Sequence, residues 1–92
     1  MLFIIHQSPF KAHTLSTCER LAVAGDAVLL YQDAVLANES HIAGLIANNV
    51  SVCVLRDDAA LRGVSVIAPG ALWVDYADFV TLVEQHEQQL AL

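Results

Sequence analysis

Residues 25–33 read GDAVLLYQD, and the pairing of this stretch decides the fold. From Ala27 to Tyr31 the apolar residues follow one another without alternation. A strand with one face in water alternates apolar and polar residues, whereas a strand covered on both faces has no such need. Gly25 suits the end of a preceding helix, because glycine accepts the left-handed conformation that closes one. Residues 2–6 (LFIIH) and 50–55 (VSVCVL) have the same continuous apolar character. Strands of this kind, separated by helical stretches, belong in a parallel sheet.

Pro9 breaks the first strand's continuation and disfavours helix for Ser8 before it. Leu15, Cys18, Leu21 and Ala22 then fall on one side of a helix. Thr14 or Ser16 is a candidate cap, and Ser16 with Glu19 has the S-x-x-E spacing of a capping box. Beyond Asp33, residues 34–49 read as helix in one or two pieces, with Asn38 or Ser40 able to cap the second. DDAALRG (57–63) is a short helix with its acids at the N-terminus, where the helix dipole favours them, and Gly63 at its end. VSVI (64–67) and ALWVDY (71–76) read as two further strands around the Pro69-Gly70 turn. Tyr76, Phe79, Val80 and Val83, at i, i+3, i+4 and i+7, make the final stretch an amphipathic helix. The expectation is one α/β domain over residues 1–92, with a small, mostly parallel sheet of about five strands covered by helices on both faces.

The totals bound what such a domain does. Of its 92 residues 57% are apolar, above the roughly 45–50% usual for soluble domains. A chain this short has little interior, so part of that apolar surplus is expected to face other subunits. No run approaches the ~18 apolar residues of a membrane span, and MLFIIHQSPF lacks the basic start and cleavage site of a secretory signal. A cytoplasmic protein is expected. Net charge is −6, with Lys11, Arg20, Arg56 and Arg62 the only Lys and Arg residues. Phosphate-backbone binding needs clustered cations, so direct nucleic-acid binding is not expected. An acidic surface suits docking to a basic patch on a partner.

Chemistry is sparse. The first strand-to-helix loop, HQSPFKAHT, has no glycine to bring backbone N–H groups onto a phosphate, and its proline removes a donor. His6, His13, His41 and His86 lack the spacing of zinc ligands. Ser8 precedes a proline instead of sitting on a nucleophile elbow. No cofactor or metal is expected. Capping explains most of the aspartates. Asp33 is the carboxylate nearest the strand ends where α/β proteins bind ligands. Cys18 and Cys53 form neither a CxxC pair nor a disulfide framework. Cys53 sits in a strand apolar on both faces, a packing position. Cys18 lies early in a helix near Arg20, which can favour a thiolate, but beside Glu19 and on the inward stripe, which favours packing.

Four landmarks in order carry a resemblance over the whole chain: HQSPF, GDAVLLYQDAV, LRDDAALRG and VDYADFVTLVEQH. The chain resembles the DsrH/TusB family, small subunits of sulfur-relay complexes. The resemblance implies the compact α/β unit of DsrE/DsrF-like proteins and a heterohexamer with TusC- and TusD-like (DsrF/DsrE-like) subunits. It implies a complex that receives sulfur from a TusA-like carrier and hands it to a TusE-like one, for 2-thiolation of a tRNA wobble uridine. The DsrH branch implies dissimilatory sulfur oxidation instead. The main carrier cysteine of such complexes belongs to the D-type partner. Cys18, within LSTCERLA, matches a position where DsrH-like members often carry a cysteine, and is the one candidate sulfur acceptor here. The expected role is an assembly subunit without activity of its own. A sulfurtransferase using Cys18, or a homo-oligomer holding a small ligand near Asp33, are the alternatives.

Overall fold

The structure is a computed structural model describing residues 1–92. Its elements are β1 (Leu2–Ile5), α1 (Thr14–Leu21), β2 (Ala27–Leu30), a 3-10 helix (Gln32–Leu36), α2 (Glu39–Ala47), β3 (Ser51–Leu55), α3 (Arg56–Leu61), β4 (Leu72–Val74), α4 (Tyr76–Gln85) and β5 (Gln89–Ala91). The five strands form one sheet in the order β4-β3-β2-β1-β5, and every neighbouring pair is parallel. Leu2 stands opposite Ala27 on one side and Gln89 on the other.

This order dictates where the helices go. From β1 to β4 the chain moves one way across the sheet, so right-handed crossovers lay α1, α2 and the segment after α3 on the same face. The return from β4 to β5 runs the other way and puts α4 on the opposite face. The packing agrees. Phe3, Ile5, Val28, Leu30, Val52 and Val54 join Leu15, Cys18, Ile42, Leu45 and Ala59 in one cluster. Leu2, Ala27, Leu29, Cys53, Leu55 and Val74 form the other, against Phe79, Leu82 and Val83 of α4. Neighbouring strand residues point to opposite faces, which is why both of these sets are apolar.

Several local expectations are corrected. VSVI is not a strand: Val64 and Ile67 pack on the larger cluster as part of the crossover, because Leu72–Val74 takes the free edge of β3. The last helix stops at Gln85 and the chain turns into β5, whose backbone pairs with β1 while Leu90 and Leu92 pack on the larger cluster. Ser16 and Glu19 do not cap. α1 starts at Thr14, its N-cap residue is His13, and no side chain caps it. Leu21 lies at the margin of the inward stripe and is exposed, while Leu15, Cys18 and Ala22 are buried. Asn38 caps α2 reciprocally with His41, whose Nδ1 accepts from the Asn38 N–H at 3.0 Å. No helix is long and apolar enough to cross a membrane.

Candidate functional site

Cys18 is the fifth residue of α1 and is 0% exposed. Burial pushes its thiol up to about 12, and the carboxylates of Asp26 and Glu19 add to the rise. Burial disfavours the charged form and like charge compounds it. Nothing opposes these effects: Arg20 is exposed, and Cys18 lies beyond the first helical turn where the dipole would help. A carboxylate stays close because Gly44 of α2, lacking a side chain, leaves room for that of Glu19. In this fold Cys18 is a thiol in the core, and the nucleophile in sulfur transfer is a thiolate.

Cys53 is buried on the other face, and its thiol is also pushed up, first by burial and then by Asp78. It lies at the floor of an apolar trough between the β3–β4 edge and α4, with Leu72, Val74 and Leu82.

Ionised and polar groups gather instead at the carboxyl ends of the strands. The Gln32 N–H donates to Oδ2 of Asp58 at 2.6 Å, and Asp58 is one of two buried polar residues, with Ser8. Gln32 has φ of 48°, a left-handed conformation that costs a residue with a side chain on the order of 1 kcal/mol. The Asp58 carboxylate holds it there. Arg62 donates from Nε to Asp33 at 2.8 Å and from a terminal nitrogen to the Asp58 carbonyl at 3.1 Å. GDAVLLYQDAV and LRDDAALRG are thus two halves of one brace, which ties the 3-10 helix after β2 to the helix after β3.

Beside the brace, His6, Gln7, Ser8, Lys11, Gln32 and Asp33 line a shallow depression. The His6 ring stands against Tyr31 at 5.9 Å. Ser8 is occupied in its own loop: its Oγ accepts from the Phe10 N–H at 3.2 Å and its carbonyl from Lys11 and Ala12 at 3.1 Å. Asp33 spends its charge on Arg62. The depression therefore offers no free carboxylate and no activated hydroxyl. No group of three or more His, Cys, Asp or Glu residues is placed to hold a metal ion.

Asp58 and Arg62 are the residues that sequence reasoning missed. Asp58 reads as a favourable acid in a helix's first turn, and no local pattern announces its bond to a residue 26 positions away.

An all-parallel five-stranded sheet with a single helix on one face defines a small α/β class, and a solved structure of the same class matches it from end to end. The crystal structure of the ychN protein from E. coli has a TM-score of 0.78, covering 99% of this chain and 97% of that one at 16% identity. The family described as "DsrH like protein" matches residues 7–89. Protein TusB of Yersinia enterocolitica is 40% identical over 95 residues, covering 99% of both chains. The TusB proteins of Yersinia pestis and Yersinia pseudotuberculosis are 42% identical over the same length and coverage. The chain belongs to the DsrH family.

Proposed function

We propose that this chain is the TusB-type subunit of a cytoplasmic sulfur-relay complex that passes persulfide sulfur toward 2-thiolation of the tRNA wobble uridine. Its role there is assembly. The observation that carries this reading is the end-to-end similarity to TusB proteins at 40–42% identity. The partners are TusC- and TusD-type chains in a heterohexamer, with TusA- and TusE-type carriers meeting the complex at its other subunits.

The physical features support assembly over chemistry. A persulfide moves when a thiolate attacks sulfur, and both thiols of this chain are buried and held protonated. The charge of −6 fits a subunit that leaves tRNA contact to others. Large apolar side chains remain exposed, Tyr76 and Val80 of α4 among them, as in a protein that meets other subunits.

The test is a strain lacking this chain, complemented with wild type or with Cys18→Ser, with 2-thiouridine in tRNA measured by mass spectrometry. Wild type restores thiolation and Cys18→Ser restores it to a similar level, while persulfide is traced to the D-type partner. Failure of wild type to restore thiolation, with restored oxidation of reduced sulfur instead, favours the DsrH-type branch. Persulfide on Cys18 in the assembled complex, with thiolation lost in Cys18→Ser, makes this cysteine a carrier.

A further inference from the structure

The sequence marks Tyr76, Phe79, Val80 and Val83 as one apolar stripe, and the fold uses only half of it. Phe79 and Val83, with Leu82, turn toward the sheet and are partly buried. Tyr76 and Val80 are 53% and 56% exposed. No residue of α4 is fully buried. Tyr76, Val80 and Glu84 follow one another at i, i+4 and i+8, so they line one flank of the helix. This row is apolar along most of its length and acidic at its end.

The charged side chains of this part of the chain have one sign. Residues 63–92 contain Asp75, Asp78, Glu84 and Glu87 and neither Lys nor Arg. We propose that this flank of α4 is the docking surface for a sister subunit whose facing surface is apolar at its centre and ringed by Lys or Arg. The inference rests on the reading of this chain as a relay-complex subunit.

Charge complementarity selects that occupant. A second copy meeting this flank about a two-fold axis would set the same patch against itself, gathering acidic side chains from both copies with neither Lys nor Arg from residues 63–92 of either to offset them. Like charges so placed disfavour the contact, whereas a basic rim satisfies them. The two most exposed large apolar residues, Leu61 and Val66, lie in a stretch of sequence that also carries Arg56, Asp57 and Arg62. That mixed neighbourhood selects no particular charge.

The test is co-expression with the TusC- and TusD-type chains, followed by native mass spectrometry and titration calorimetry. If the wild-type chain joins no complex, the functional reading itself falls. If it does, Tyr76→Ser combined with Val80→Asp is expected to weaken assembly by roughly tenfold or more, the scale of losing an interface anchor. Leu61→Ser combined with Val66→Ser serves as the control and should assemble like wild type. Thermal unfolding of each isolated variant checks that it folds. Should the α4 variant not fold, Glu84→Lys, on an exposed side chain, carries the test: it should weaken assembly at low salt, with the difference shrinking at high salt. Wild-type affinity in the folded α4 variant or in Glu84→Lys, or loss of assembly in the Leu61/Val66 control alone, overturns the proposal. So does a homodimer of the isolated chain that the α4 variant abolishes.

Discussion

On one face of the sheet, α1, α2 and the crossover after α3 cover a cluster of 15 buried residues; on the other, α4 alone stands over a cluster of 6. The first face is the better covered, with Leu15, Cys18, Ile42 and Leu45 all buried beneath their helices. The second leaves α4 lying on the sheet without one fully buried side chain. Both faces of the strands are equally apolar, so the difference comes from the number of helices that topology delivers to each. Three of the four crossovers move in one direction and one returns. The face served once is the face that another chain can complete.

The largest expected effect lies on the better-covered face. Leu45→Ala empties a fully enclosed site and should cost about 2–5 kcal/mol, read as a fall in the urea midpoint. Asp58→Ala comes next, because it strips the Gln32 N–H of its acceptor where the chain is left-handed; about 1–3 kcal/mol is expected. Phe79→Ala on the open face should cost less than Leu45→Ala, roughly 1–2 kcal/mol in the isolated chain. A Phe79 penalty equal to that of Leu45 would erase the contrast between the faces.

Cys18 gives the better-covered face a pH signature. Its thiol rises from an ordinary 9.0 to about 12, so the folded protein keeps a proton that the unfolded chain releases. The resulting stability is complete below 9.0 and is lost as pH climbs toward about 12. The stability difference between wild type and Cys18→Ala should therefore shrink above that lower bound, by up to ~1.4 kcal/mol per pH unit. Native Cys18 should also resist alkylation at a rate set by unfolding. The smallest effect belongs to Arg62→Ala at the exposed pair with Asp33, at about 1 kcal/mol or less, measured by thermal unfolding.

Much of this was readable in the residues. Continuous apolar runs placed β1, β2 and β3, because only strands covered on both sides can dispense with polar alternation. Cys18 fell on the inward stripe with Leu15 and Ala22, and there it is buried. β5 was not readable. Gln89, Leu90 and Ala91 carry no strand pattern and become a strand only because the edge of β1 offers hydrogen bonds. VSVI misled for the opposite reason, being β-branched yet displaced from the sheet edge by Leu72–Val74. The brace of Asp58, Gln32, Arg62 and Asp33 joins positions 26 and 29 apart, beyond the range of any local pattern. Periodicity showed the α4 stripe in full but could not say that the sheet would use only half of it.

The pairing of Leu2 with Gln89 has a kinetic consequence. β1 sits inside the sheet, yet one of its neighbours comes from almost the whole chain away, and contacts so distant in sequence slow the search for the native arrangement. Until that partner arrives, β1 presents a bare edge to any other strand in solution. Deleting residues 89–92 should therefore leave a protein whose helices form normally but which clumps during refolding.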